Sequence, residues 1–458
     1  MERITAKGIS LRNISVSMWK VALIQGVGIL AFLYLFFHKE LGILGILLFC
    51  SVLAGLLILF EPKLGLLLCI AFNITSASAF FLGGLYLGVA AVTIAAWILQ
   101  RLATEPVVLR SPQNQLIYAF TAVATFSLVF CTDLGRGFES MTVYLKVVAL
   151  YILIVNIVDS ARFLKVVLWV IILSGLSISL LGMYQFLSSP HFAVWMNRIA
   201  STRQDPNNLA LTLVSVFPLA IALLRAERGK KRKIFLFFVS VIIFFTIPLT
   251  LSRGGFLALS AILFVFMMKA RKKKIAVLLL VSIIGCSILL LPGEVWERIG
   301  TLSAKSIDRS IQMRMMLFKG GLNMFLDHPL FGVGIGNFII HSVHYSGVFI
   351  PSFAHNMFIH VAAEMGILGI LFFSSLLWMT WRYQRRVQQA AFHENDSFFL
   401  QISQGLEISL IGFCVGSLFL SQHFNKMLWI IIALTVSINH IYFQRQQSVM
   451  HSKETGFD

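Results

Sequence analysis

The chain has 458 residues, 58% of them hydrophobic and only 12% charged, with a formal net charge of +18 and a mean hydropathy of +0.87. A soluble domain is about a quarter charged, so that class is excluded, and the short alternating segments of a transmembrane barrel are absent. The positive charge collects in short stretches between apolar runs, as it does in cytoplasmic loops that set topology and face anionic lipid, so nucleic-acid binding is set aside.

Apolar runs long enough to cross a bilayer follow one another along the chain. In order they are Lys20–Phe37, Leu41–Phe60, Leu64–Phe81, Gly84–Leu99, Asn114–Cys131, Met141–Ile157 and Phe163–Leu187, then Asn208–Leu224, Ile234–Leu251, Gly254–Met268, Ile275–Leu291, Met357–Trp378, Gln401–Leu420 and Lys426–Phe443. The third and fourth, and the ninth and tenth, are joined tightly enough to form re-entrant hairpins. The pattern predicts an all-α, polytopic membrane helix bundle of about 12–14 transmembrane helices. It forms a single membrane domain over 1–458 with one large external loop over 292–354. The five cysteines all fall in apolar runs without metal-ligand spacing, and so are expected to be core residues. The basic segment from Met1 to Lys20 has no small-residue cleavage site and is expected to stay as a cytoplasmic tail.

Lys and Arg orient the bundle. The runs Arg225–Lys233, Lys269–Lys274 and Arg382–Arg386 belong inside, and with them Arg101, Arg110, Arg162, Lys165 and both termini. The two strongest clusters flank one hairpin whose tip is Ser252-Arg253-Gly254-Gly255, which places that tip at the outer face. The segment from Pro292 to Phe353 lies on the same side. Within it, Ile311, Met315, Phe318, Leu322 and Phe325 recur at helical spacing from Ser306 to Phe325, so an amphipathic helix is expected, lying on the bilayer surface or across the helix bundle. Asp327-His328-Pro329 should end it, and Gly332-Val333-Gly334-Ile335-Gly336-Asn337 should turn tightly. That turn follows a helix rather than a strand, so it is a poor dinucleotide loop.

Few residues offer chemistry. Arg253 is either an interfacial anchor or an anion ligand, with Ser252 adding a hydroxyl and the two glycines allowing close approach. Arg314 sits on the amphipathic helix, where the bland alternative is a solvated face. Arg198 and Arg203 precede Asp205-Pro206-Asn207-Asn208, in which Asn207 or Asn208 is expected to cap the next helix. His355-Asn356 opens another span, as a cap or as a proton acceptor. His360 and Glu364 share a face of that helix, and Lys146 or Glu407 is a candidate partner for the in-span Glu364. No Asp-x-Asp, His-Glu-x-x-His or nucleophile elbow is present, and no facing carboxylate pair beyond Glu294 and Glu297. No metal or other cofactor is expected.

Three motifs in order resemble the O-antigen ligase / O-antigen polymerase superfamily of bacterial membrane glycosyltransferases. They are Thr250-Leu251-Ser252-Arg253-Gly254-Gly255-Phe256; Arg314 with Gly320-Gly321, Asp327-His328-Pro329-Leu330-Phe331-Gly332-Val333-Gly334 and Asn337-Phe338; and His355-Asn356 with Glu364-Met365-Gly366 and Gly369. The resemblance covers roughly residues 205–373. It implies a metal-independent enzyme of the bacterial cytoplasmic membrane that works at the outer face. Such an enzyme moves a glycan from a polyprenyl (undecaprenyl) diphosphate to an acceptor hydroxyl, with inversion, as a polymerase or as a ligase. By that resemblance Arg253, Arg314 and His355 are the catalytic residues, with the two arginines binding the diphosphate; Ser252, Asn356 and Arg203 are expected to add substrate contacts. The implied partners are a lipid-linked glycan, an acceptor glycan, membrane lipid and other polysaccharide export proteins. The leaning is towards polymerase. A transporter is the alternative of another class, resting on the number of spans and on Lys146, Glu364 and Glu407.

Overall fold

The computed structural model describes residues 53–75, 83–103, 111–187, 205–270 and 304–454. The spans expected at Lys20–Phe37 and Ile275–Leu291, and the carboxylates Glu294 and Glu297, lie outside them. Among the described residues every regular element is helical. Seven helices are long and apolar enough to cross a membrane, and one bent pair adds an eighth candidate. This is a polytopic helical bundle.

Two compact units are present, 1–69 with 81–107 and 70–80 with 108–458. In the first, α1 (Leu53–Phe60) and α2 (Pro62–Thr75) meet at a bend of 119°, where Pro62 opens a new helix instead of continuing the old one. Alongside them runs α3 (Gly83–Ala103). Gly65 meets α3 so closely that a Cβ would lie 2.1 Å from Thr93 Oγ1.

The second unit contains α4 (Pro112–Ser127), α5 (Leu134–Ile157), α6 (Ala161–Leu187), α7 (Pro206–Ala226), α8 (Lys230–Leu249) and α9 (Arg253–Lys269). Then come α10 (Ala304–Asp327), α11 (Phe338–Ser346), α12 (Met357–His393), α13 (Ser397–Gly416) and α14 (Lys426–Glu454). At its centre is α7, buried almost continuously from Leu209 to Leu223 and packed against α6, α8, α9 and α13. Long α12 joins the two halves, touching α4, α10, α13 and α14.

About a quarter of the way along, α12 breaks at Gly366, with φ 65° and ψ −160°. The break frees backbone groups inside the bundle, where each unpaired group is costly. The glycine-rich turn takes them up. Val333 N–H donates to Ala363 O at 2.9 Å, Gly334 N–H to Glu364 O at 3.1 Å, and Ile367 N–H to Pro329 O at 2.7 Å. Side chains are excluded on both partners: a Cβ on Gly366 would lie 2.3 Å from Leu330 C, and one on Gly332 2.3 Å from Glu364 C. The turn is also tied to the α4–α5 junction. Asp133 N–H donates to Asn337 Oδ1 at 2.8 Å and Asn337 Nδ2 to Asp133 O at 3.0 Å, while Ile335 N–H donates to Ser127 Oγ at 3.2 Å.

The amphipathic helix forms as α10, and the face it packs inward is not its stripe of large apolar residues. Leu317, Gly320, Gly321 and Met324 point inward, whereas Met315, Phe318 and Leu322 are exposed. A Cβ on Gly320 would lie 1.9 Å from Ser346 Oγ, and one on Gly321 2.4 Å from Ile359 Cγ2. Close approach of backbones therefore decides the inward face. Leu317, Met324, Val333, Phe338, Val348, Ala354 and Ala363 make a small core there.

At the opposite end of the bundle, Glu407 does not pair with Glu364 as considered from the sequence. It binds Lys269, accepts from Trp381 Nε1 at 3.1 Å and from Gln388 Nε2 at 2.9 Å, and has Arg385 at 3.8 Å. This cluster ties the end of α9 to α12 and α13.

Because Gly366 sits at positive φ against a backbone carbonyl, Gly366→Ala combines left-handed strain with a clash. We expect a loss of about 2–4 kcal/mol, read as a fall in the thermal midpoint of the detergent-solubilised protein. A variant as stable as the wild type would show that the contact between turn and break is not tight.

Candidate functional site

The site lies where three capped helix starts meet α10. The start of α9 is capped by Ser252, whose Oγ accepts from Gly255 N–H at 3.2 Å and donates to Asn207 Oδ1 at 2.9 Å. Its hydroxyl therefore binds α9 to α7. Ser252 is buried, and among the described residues it does not line the crevice below. The start of α7 is capped by Asp205, whose Oδ1 accepts from Asn207 N–H at 2.9 Å. The cap is thus two residues earlier than the first asparagine expected, because Pro206 fits the first helical position, where no N–H is needed. Asn356 caps α12, with Oδ1 accepting from Phe358 N–H at 2.9 Å and Ile359 N–H at 3.1 Å.

Gly254 and Gly255 pack against protein. A Cβ on Gly255 would lie 2.6 Å from Ala210 Cβ, and one on Gly254 3.4 Å from Gly416 O. They let α9 begin tight against α7 and α13, which leaves Arg253 exposed at the rim. Arg314 projects from α10 and is half-buried. His355 precedes α12 with φ 50°. That region is uncommon for a residue with a Cβ and costs about 1–3 kcal/mol.

These three side chains, which are 61 residues apart or less in pairs from neighbouring motifs, line one crevice of about 350 Å³. The rest of its wall is largely apolar, with Met315, Phe318, Leu418 and Phe419. Met315 and Phe318 are members of the apolar stripe that marks α10 as amphipathic. Neither guanidinium has an ion-pair partner among the described residues. Burial, and next the Arg253 charge, press the Arg314 pKa down. Two cations without an ion-pair partner among the described residues, lining one crevice beside two helix N-termini, are an arrangement suited to an anion.

His355 is held below the ordinary imidazole pKa, by burial first and by the Arg314 charge second, with Asp205 opposing. It is therefore neutral near pH 7 and free to take a proton. His355 also lines a second, polar cavity of about 500 Å³. At its inner end are His360, Glu364 and His423, all buried. His360 Nε2 lies 3.0 Å from Glu364 Oε1, and Phe338 N–H donates to the same oxygen at 3.1 Å. Potential ligand atoms of the three lie within 4.8 Å of one another, so their donor set could hold a metal ion. From the sequence only His360 and Glu364 were visible as neighbours. His423 comes from the turn before α14, and no local pattern marks it. Arg203 and Arg198 lie outside the described residues. Lys146 is exposed on α5 and is not the partner of Glu364.

Residues 238–374 match the O-antigen ligase family. That span contains all three motifs and every residue of the crevice except Leu418 and Phe419. A teichuronic acid biosynthesis protein of Bacillus subtilis, TuaE, is 28% identical over 142 residues, which is 29% of this chain and 28% of that protein. The aligned stretch is thus well under half of the relative's length. These two similarities bear out the resemblance carried by the motifs, and both point to polysaccharide assembly.

The pH at which His355 changes charge is directly measurable. Modification by diethyl pyrocarbonate requires neutral imidazole, so its rate at His355, followed by peptide mass spectrometry, should have a midpoint below 6.5. Replacing Arg314 by Gln removes a positive neighbour, which favours the protonated ring, and should raise that midpoint. A midpoint unmoved by Arg314→Gln would mean that the two groups do not share a site.

Proposed function

We propose that the protein is a glycosyltransferase of the bacterial cytoplasmic membrane, with its termini inside and the crevice at the outer face. It moves a glycan from a polyprenyl diphosphate to an acceptor hydroxyl. The observation that carries this reading is the convergence of Arg253, Arg314 and neutral His355 on one crevice with apolar walls. The arginines suit a diphosphate, at about 1.5–3 kcal/mol for each charge-assisted hydrogen bond. Met315, Phe318, Leu418 and Phe419 suit the isoprenoid next to it. The orientation is supported by α9, which runs from Arg253 to Lys269. Those two residues are about 24 Å apart along the axis, with the basic run at the far end.

In the reaction the acceptor oxygen attacks the anomeric carbon and a new C–O bond forms. The bond from that carbon to the diphosphate oxygen breaks, and its electron pair leaves with the polyprenyl diphosphate. His355 takes the hydroxyl proton, and the arginines stabilise the charge that grows on the leaving group. No step requires a metal ion. Asn356 contributes by fixing the start of α12 and with it His355, since its carboxamide oxygen is committed to the cap and its Nδ2 to Leu418 O at 3.2 Å.

Polymerisation is the preferred form, since it needs no acceptor beyond a second lipid-linked repeat. The description of the matched family supports the ligase form instead. The transporter alternative loses part of its basis, because Glu364 and Glu407 are both engaged inside the bundle.

Purified protein supplied only with the lipid-linked repeat should lengthen it; transfer solely to a different acceptor would leave the ligase form standing. Arg253→Ala, Arg314→Ala and His355→Ala should each lower transfer by about a hundred- to ten-thousand-fold in protein that still inserts in the membrane. Full activity in all of them would remove the site assignment. Activity should survive EDTA. Loss that Zn²⁺ restores would instead make His360, Glu364 and His423 a metal centre.

A further inference from the structure

We infer that the second cavity, across His355 from the arginine crevice, binds the acceptor sugar, and that Glu139 and Asn208 help to select it. The inference rests on the polymerase form of the proposed reaction.

Position is the first argument. His355 is common to the linings of the crevice and the cavity, so one imidazole borders both spaces. A hydroxyl presented from the cavity can pass its proton to His355 while its oxygen approaches a sugar whose diphosphate lies with the arginines. The bond made and the bond broken then fall on opposite sides of the anomeric carbon. The electron pair leaves with the diphosphate, and the proton stays on His355 until solvent removes it.

Chemistry is the second. The arginine crevice is walled by apolar side chains, which fit a lipid. The cavity instead presents Arg136, Glu139, Asp205, Asn208, Gln422 and Asn425. Carboxylates, amides and a guanidinium match the mixed donors and acceptors of a sugar. Phe353 and Phe424 also line it and offer flat faces to the C–H side of a ring. At about 500 Å³ it falls within the usual range of small-molecule sites.

The third argument is unmet hydrogen bonding. Asn208 Oδ1, Ser421 Oγ, His360 Nδ1 and His423 Nδ1 are buried with no partner among the described residues, and all four residues line this cavity. The two imidazoles are 4% and 6% exposed. Buried polar atoms are paired in the great majority of cases, so a cluster of unpaired ones around a single cavity points to a polar occupant.

The test uses full-length protein in lipid nanodiscs. The donor is the host's own lipid-linked glycan. The soluble acceptor is the repeat oligosaccharide released from that glycan by mild acid. Glu139→Gln and Asn208→Ala should each raise the KM for the acceptor about tenfold, with binding of undecaprenyl diphosphate unchanged. Glu139→Cys should be labelled by a maleimide more slowly when the acceptor is present. An unchanged KM in both variants, or labelling indifferent to the acceptor, overturns the inference. If at the same time Arg253→Ala and Arg314→Ala have lost undecaprenyl diphosphate binding, the donor reading stands without it. If those two variants bind undecaprenyl diphosphate as the wild type does, the donor reading fails on its own account, whatever the acceptor measurements show.

Discussion

A broken helix has to be repaired inside the bundle, and most of the site follows from that requirement. Gly366 interrupts α12, and two carbonyls and an amide lose their ordinary partners in surroundings that contain little water. The turn from Pro329 to Gly334 meets those groups with its own backbone. It can do so because Gly332 and Gly334 adopt positive φ and carry no Cβ. The same contact fixes the segment of α10 and α11 against the long helices. Glu364, two residues before the break, pairs with both Phe338 N–H and His360, so its side chain also holds the start of α11.

From this anchor the placement of the three site residues can be traced. With the turn held on α12, α10 is brought down through Gly320 and Gly321, and Arg314 is aimed at the start of α12. Ser252 joins α9 to Asn207, which brings Arg253 to the same end of the bundle. Asn356 sets the first turn of α12 and leaves His355 in a conformation that helices do not use. Among the described residues, each polar residue that the sequence offered as a ligand is thus either aimed into the crevice or employed in holding one that is. Ser252 belongs to the second group and Arg253, Arg314 and His355 to the first. Asn356 belongs to both, since it lines the crevice while capping the helix.

Much of this was legible in advance. Hydrophobic runs gave most of the described spans to within a few residues, because a helix in lipid must satisfy its own backbone and be apolar along its length. The end of α10 at Asp327-His328-Pro329 was equally plain. Its buried face was not. Periodicity identifies a stripe of large apolar side chains, but it does not say whether that stripe meets a protein core, lipid or a ligand crevice. Gly320 and Gly321 bury the other face, and the large residues are left to wall the crevice. The length of α12 was underestimated for a related reason. Its polar last third, from Trp381 to His393, is helical although it lacks the apolar composition of a span.

The sequence by itself determined the class of the fold and where its basic runs fall, and it singled out the two arginines and the histidine that the structure brings to one crevice. Composition, charge placement and three short motifs are local properties and survive without coordinates. Only the tertiary structure decided that Ser252 and Asn356 act as caps, that Glu364 serves the break in α12 rather than Lys146 or Glu407, and that His355 borders two spaces of opposite character. Those outcomes depend on which backbone groups go unpaired and which helices approach closely, and contacts between residues far apart in the chain leave no period or spacing to read.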